Sequence, residues 1–244
     1  MRVAVIIPAA GRSSRFGQGE KKPFVSLDGR AVWQRSAELF WTREDVSKVY
    51  VVISPHDREL FEIRYRAAMV FANAQVVGGG AERFESVANA LAQVPEDVEL
   101  VAVHDAVRPL CTTAQIDAVF AAAGKHGAAM LAVPLADTLK RVNAENRITE
   151  TVSRAGLWCA QTPQVFRRDW LAEAYAKRGE LKQTITDDAQ LVEAIGHPVY
   201  VVPGSASNFK ITTKDDLELA EAIVKSRLAK PTAPLRAFGD EAQW

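Results

Sequence analysis

Apolar positions along the chain follow two alternating rhythms. Short aliphatic runs at residues 3–7, 49–53, 74–77, 100–103 and 128–133 are almost free of polar interruption. Strands buried on both faces of a parallel sheet have this composition. Between the runs, residues 31–40, 58–67, 83–92 and 113–125 carry apolar side chains at helical spacing, such as Phe84, Val87, Ala88 and Leu91. Thr112 with Gln115 forms a capping-box pair ahead of the fourth such stretch. Strands that alternate with helices predict an α/β fold, a mostly parallel sheet with helices on both faces.

The rhythm breaks between Pro134 and Ala160. Runs at 139–142, 148–151 and 157–160 are strand-like, Ala144-Glu145-Asn146 is a turn signal, and no helix fits between them. This stretch predicts a β-hairpin arm that projects from the main domain, and apolar residues on such an arm need something to pack against, such as a second subunit. Regular order resumes with 168–177, 187–195 and 199–202. A last helix opens at Thr213 and Asp216 and puts Leu217, Ala220, Ile223, Val224 and Leu228 on one face. The reading is one domain over 1–230, with the arm at 136–158 as an insert. The tail at 231–244, with Pro231, Pro234 and Gly239, reads as loosely attached.

Composition narrows the classes. With 244 residues, 48% of them hydrophobic, the chain can bury a full core. A formal net charge of +0 argues against a nucleic-acid binder that relies on a general basic field. No apolar stretch reaches the roughly 18 residues of a membrane span, and the first residues read as a core strand rather than a secretory leader. The two cysteines, Cys111 and Cys159, have no metal-ligand spacing and suit a reducing compartment. A cytoplasmic enzyme is the expectation.

Three unusual loops follow strands, so in a parallel sheet they should share one rim, where ligands bind. The first is Pro8-Ala9-Ala10-Gly11-Arg12-Ser13-Ser14-Arg15, leading to Lys21-Lys22-Pro23. Small residues let backbone N–H groups approach a phosphate, and the first 35 residues hold seven Lys or Arg against Glu20 and Asp28. The alternative is an ordinary strand–turn–helix with solvated charges. The second loop, Gly78-Gly79-Gly80-Ala81-Glu82-Arg83, leaves room for a base or sugar, or is a plain flexible turn. Arg83 and Ser86 are candidate ligands there. In the third, His104-Asp105-Ala106-Val107-Arg108-Pro109, Asp105 could bind a ribose hydroxyl or a magnesium ion, or brace the loop by pairing with Arg108. His104 reads as loop packing. Asp187 and Asp188 point about 100° apart on a helix, so they fit its N-terminal end better than a paired-carboxylate site.

These pieces occur in one order together with Asp137-Thr138-Leu139-Lys140-Arg141, Thr162-Pro163-Gln164, Ile185-Thr186-Asp187 and Asn208-Phe209-Lys210. From about residue 3 to 228 the chain resembles the 2-C-methyl-D-erythritol 4-phosphate cytidylyltransferases of non-mevalonate isoprenoid synthesis. The resemblance implies a Rossmann-like nucleotidyltransferase sheet, CTP and methylerythritol 4-phosphate as substrates, magnesium bridging the CTP phosphates, and a homodimer joined through the arm. Arg15, Lys22, Arg154 and Lys210 would be catalytic. Pro8, Ala9, Ala10, Gly11, Gly80, Arg83, Ser86, Asp105 and Ala106 would hold the nucleotide. Arg108, Thr138, Arg154, Thr186 and Lys210 would gather the acceptor, with Arg154 reaching a partner's site. No metal ligand is assigned. Three departures stand out: Ser13 for a glycine, Lys21-Lys22-Pro23 for the usual Pro-Lys-Gln, and Ala81 for an acid. The nearest rivals are a ribitol 5-phosphate cytidylyltransferase and a non-catalytic nucleotide-binding protein on the same scaffold. A dinucleotide-dependent dehydrogenase lacks its three-glycine fingerprint here.

Overall fold

A computed structural model describes residues 1–11, 21–181 and 184–229. The elements are β1 (Val3–Pro8), β2 (Ser26–Leu27), β3 (Arg30–Ala31), α1 (Val32–Trp41), β4 (Val46–Ile53), α2 (Arg58–Phe71), β5 (Ala74–Gly78), α3 (Arg83–Leu91) and β6 (Leu100–Val103). They continue with α4 (Thr113–His126), β7 (Ala128–Pro134), β8 (Leu139–Val142), β9 (Ile148–Val152), β10 (Trp158–Arg167), α5 (Arg168–Lys177), α6 (Asp188–Ala194), β11 (Tyr200–Pro203) and α7 (Lys214–Ala229). Every predicted helix and strand is present. The largest extension is in β10, expected to end at Ala160 and running on to Arg167, followed by α2, which runs on to Phe71.

Seven strands form one sheet in the order β11-β7-β10-β6-β1-β4-β5. Its central strands are buried on both faces, as their composition predicts. In β1, Val3, Val5 and Ile7 pack with Trp33, Phe40 and Phe120 of α1 and α4, whereas Ala4 and Ile6 pack with Val87 and Leu91 of α3 and Leu171 of α5. A third, smaller cluster joins Leu27, Val107, Leu110 and Ile211 to Ala220 and Val224 of α7.

Two expectations need correction. The run at 157–160 is not part of the arm. It opens β10, which continues to Arg167 and lies antiparallel between β6 and β7 in the middle of the sheet. The reason is topological: β7 returns to β10 through the arm, without the helical crossover that a parallel neighbour requires. Only β8 and β9 form the hairpin. Leu228 does not join the buried face of α7; it is 73% exposed, one turn beyond Val224. The tail from residue 230 lies outside the described residues.

β1, β4, β5 and β6 pair in parallel, and β10 is antiparallel to both β6 and β7, so β7 and its parallel neighbour β11 share the direction of β6. The loops after β1, β4, β5, β6 and β11 therefore open on one rim.

Candidate active site

The rim holds a cleft of about 600 Å3. Of the residues singled out in the sequence, Pro8, Ala9, Ala10, Gly11, Lys22, Gly80, Arg83, Ser86, Asp105, Ala106 and Lys210 line it, with Lys21 beside them. Arg15 and Ser13 lie outside the described residues. Arg108 does not line the cleft but pairs with Asp105, which does. Thr138 and Arg154 are exposed next to the arm, and Thr186 lines a separate depression of about 470 Å3. One chain thus brings the nucleotide set together and leaves Thr138, Arg154 and Thr186 apart from it.

Loop packing explains the glycines. A Cβ on Gly79 would stand 2.5 Å from the Cβ of Ala10, so only glycine lets the loop after β5 lie against the loop after β1. The Gly79 N–H donates to Ile53 O at 2.8 Å, and the Gly80 N–H donates to Ser86 Oγ at 3.1 Å. Ser86, 2% exposed, in turn donates its hydroxyl hydrogen bond to Glu82 O at 3.1 Å. Its hydroxyl ties the loop to the first turn of α3. The Glu85 carboxylate takes the Ala81 and Glu82 N–H groups at 2.6 and 3.1 Å. The backbone donors of Ala81 and Glu82 are thus occupied by the protein itself.

Asp105 is the electrostatic centre. It follows β6 and its side chain is only 11% exposed. Lys210 Nζ approaches Oδ2 at 3.0 Å, Arg108 Nε approaches Oδ2 at 3.4 Å, and an Arg83 terminal nitrogen stands 3.8 Å from Oδ1. Burial alone would raise its pKa, but the Lys210, Arg83 and Arg108 charges outweigh burial and hold the carboxyl well below the usual range. The pairing with Arg108 foreseen in the sequence is therefore present, as one of three. Arg108 is pinned further by donating to Asn208 O at 2.7 Å.

His104 acts as loop packing, as expected. It is fully buried, with Nε2 3.0 Å from Arg108 O and Nδ1 3.1 Å from Thr162 Oγ1. A carbonyl only accepts, so this network assigns the proton to Nε2 and makes Nδ1 the acceptor of the Thr162 hydroxyl. Burial lowers the His104 pKa to about 4, against a smaller opposing pull from Asp105. Thr162 Oγ1 also accepts from the Asp105 N–H at 3.0 Å and so fixes the backbone that carries the carboxylate.

Lys21 and Lys22 diverge in their surroundings. Lys21 forms an ion pair with Asp57 at the start of α2. Lys22 opens the short turn Lys22–Phe24, whose Pro23 is buried.

Asp187 serves the N-terminus of α6, accepting from the Gln190 N–H at 3.0 Å. Asp188 departs from that expectation. It turns inward, 1% exposed, to Arg83 at 2.9 Å and Tyr175 Oη at 2.5 Å. Sequence reasoning also passed over Thr162, Gln164 and Asn208 as individual side chains. All three are polar and buried, and each bridges a rim loop to β10.

A parallel α/β sheet with a small-residue loop, a glycine loop and a cation-ringed acid at one rim is the framework of a nucleotide-handling transferase. Comparison with known proteins makes this specific. Residues 3–226 match the family described as 2-C-methyl-D-erythritol 4-phosphate cytidylyltransferase. A relative of that name from Rhodopirellula baltica is 43% identical over 234 residues, covering 91% of this chain and 94% of its own. One from Salinibacter ruber is 45% identical over 222 residues, covering 91% and 92%. The crystal structure of the enzyme of that name from Thermus thermophilus superimposes with a TM-score of 0.77 at 35% identity, covering 92% of this chain and 100% of that one. The chain belongs to the 2-C-methyl-D-erythritol 4-phosphate cytidylyltransferase family and is a nucleotidyltransferase.

Proposed function

We propose that the cleft binds CTP and transfers its cytidylyl group to 2-C-methyl-D-erythritol 4-phosphate, giving 4-diphosphocytidyl-2-C-methyl-D-erythritol and pyrophosphate in isoprenoid synthesis. The observation that carries the assignment of roles is Asp105, an ionised carboxylate that gathers Lys210, Arg83 and Arg108 at the mouth of the small-residue loops.

A phosphate-monoester oxygen of the acceptor attacks the α-phosphorus of CTP. The new P–O bond forms as the bond to the β-phosphate oxygen breaks, and pyrophosphate leaves with the electron pair. The attacking oxygen is already anionic at neutral pH, so no general base is needed. The chain supplies alignment and positive charge. Pro8, Ala9, Ala10, Gly11, Gly80, Ser86 and Ala106 shape the nucleotide side, and Arg83 adds a cation in the same wall. Lys22, which lines the cleft, stabilises charge on the α-phosphate and the leaving group, a part the family resemblance shares with Arg15. Lys21, which pairs with Asp57, borders the same cleft. Lys210 and Arg108 lead towards the acceptor. Thr138, Thr186 and Arg154 complete its site, with Arg154 delivered by the arm of a second copy.

Magnesium fits the donor set. Asp105 is a hard oxygen donor of the cleft that is held ionised, the kind of single carboxylate that accompanies substrate phosphates around magnesium. Asp105 would hold it, and the ion would supply neutralising charge to the triphosphate. Among the described residues no helix is long and apolar enough to cross a membrane. Both cysteines are unpaired, which supports a reducing, cytoplasmic setting.

The test is pyrophosphate release from CTP and magnesium, with methylerythritol 4-phosphate and ribitol 5-phosphate offered separately. Release with the first alone establishes the assignment. Release with ribitol phosphate alone keeps the scaffold and moves the acceptor. No release with either, from folded protein that binds CTP, leaves a nucleotide-binding protein.

A further inference from the structure

Asp188 is a buried carboxylate for which helix capping gives no reason. Asp187 already accepts from the Gln190 N–H, yet the next residue carries a second charge to 1% exposure. A charge at that depth persists only with close partners. Its partners are Arg83, with a terminal nitrogen 2.9 Å from Oδ2, and the Tyr175 hydroxyl, which donates to Oδ1 at 2.5 Å. Burial, then the Asp188 charge, push the Tyr175 pKa upward, so the phenol stays protonated and remains a donor.

Arg83 is the shared element. It starts α3, forms part of the wall of the nucleotide cleft, and also borders the depression beside α5 and α6. Its second terminal nitrogen stands 3.8 Å from Asp105, so two carboxylates on different elements hold one planar fork. The geometry is unequal: the close, buried grip is from Asp188 and the longer one from the acid at the cleft. The Arg83 side chain is still 37% exposed, so substrate can reach it.

We propose that Asp188 is a positioning residue for nucleotide binding, holding the Arg83 guanidinium in place at the cleft wall although Asp188 itself does not line that cleft. This rests on the assignment of Arg83 to the nucleotide. A long arginine side chain loses rotamer freedom when it engages a phosphate, and a fork already held by Asp188, which Tyr175 fixes in turn, has lost most of it beforehand. Removing the grip should therefore weaken CTP binding with little effect on the chemical step or on acceptor binding.

A double-mutant cycle on the full chain tests it, reading KM for CTP, KM for methylerythritol 4-phosphate, kcat and thermal midpoint. Asp188→Asn keeps the shape and an acceptor for Tyr175 while removing the charge. It should raise KM for CTP roughly tenfold, a coupling of ordinary size for groups in contact, with kcat and acceptor KM within about threefold. In an Arg83→Ala background the same change should add nothing to KM for CTP. Tyr175→Phe should give a smaller rise that also vanishes in that background, and it serves as the readout should Asp188→Asn fail to fold. Equal rises with and without Arg83, or an unchanged KM in folded Asp188→Asn, would overturn the proposal while leaving the nucleotide assignment intact. If Arg83→Ala itself leaves KM for CTP unchanged, the role of Arg83 falls and this inference with it.

Discussion

The rim around Asp105 and the β8–β9 arm are built on opposite terms. At the rim several polar side chains are held by two or more other groups. Asp105 has three cations, Thr162 bridges His104 and the Asp105 backbone, and Ser36 donates to Ala106 O at 2.9 Å from below. In the arm, β8 and β9 pair, among the described residues, only with each other. Their cross-strand contacts, Arg141 with Glu150 at 2.9 Å and Lys140 with Thr151 at 2.7 Å, are exposed and stabilise little. Val142 and Ile148 are about half exposed, at 50% and 59%. The contrast separates two kinds of site. The residues of the rim cleft are held in place by contacts within one chain. The arm, with exposed apolar residues and exposed Arg154 nearby, has the character of a surface that works when covered.

The largest expected effect is at the rim. Lys22→Met should lower kcat by about a hundredfold or more, the usual cost of losing a group that stabilises transition-state charge, while the thermal midpoint stays near that of the unaltered chain. Near-normal turnover would move the role to Lys21 or Arg15.

Next is acid stability, which follows from how tightly the rim is packed. The His104 pKa is about 4 in the folded chain against 6.5 for a free histidine. Below the unfolded value the unfolded chain binds the extra proton, so the stabilisation from neutral His104 is fully present above pH 6.5 and drains away as pH falls through 4. Denaturant melts across that window should lose on the order of 3 kcal/mol, and His104→Gln should flatten the slope. An equally steep slope in the variant would place the proton uptake elsewhere.

The arm gives a third test. Arg154→Met should raise KM for methylerythritol 4-phosphate roughly tenfold and leave KM for CTP unchanged. If Arg154 acts across a dimer, refolding inactive Lys22→Met together with Arg154→Met should restore about a quarter of the sites, because one site in each mixed dimer of two-fold symmetry is intact. No recovery, from a demonstrated mixed dimer, would confine Arg154 to its own chain.

The smallest effect is expected far from both regions. Asp216 accepts from the Thr212 and Thr213 N–H groups at 2.7 and 2.8 Å at the start of α7. Burial would raise its pKa, but these bonds, led by the Thr212 hydroxyl, lower it. Asp216→Asn should cost about 1 kcal/mol at neutral pH, the usual size of a cap. The loss should fade as pH falls through the folded pKa, where the carboxylate is protonated in either state.

What could be read in the chain tracks the range of the forces involved. The Thr112 and Gln115 cap was legible because its two bonds, at 3.0 and 3.3 Å, join residues three apart. The rim was legible because three strand-end loops must share an edge once their strands are parallel. β10 was not. Its middle residues Gln161, Thr162 and Gln164 are polar yet at most 5% exposed, so they interrupt the apolar run that marks a buried strand. Their partners, among them Ser205, His104 and Asp187, lie more than 20 residues away.

By itself, then, the sequence determined the α/β rhythm, the caps, the projecting arm and the order of motifs that marks the family, because each depends on side chains within a few positions or on composition. Only the tertiary structure decided that β10 runs antiparallel through the sheet, that Asp105 holds three cations, that Lys21 faces Asp57, and that Asp188 grips Arg83. Charges and hydrogen-bonding groups brought together from distant segments have no local signature, and their energies exist only where the packed fold excludes water around them.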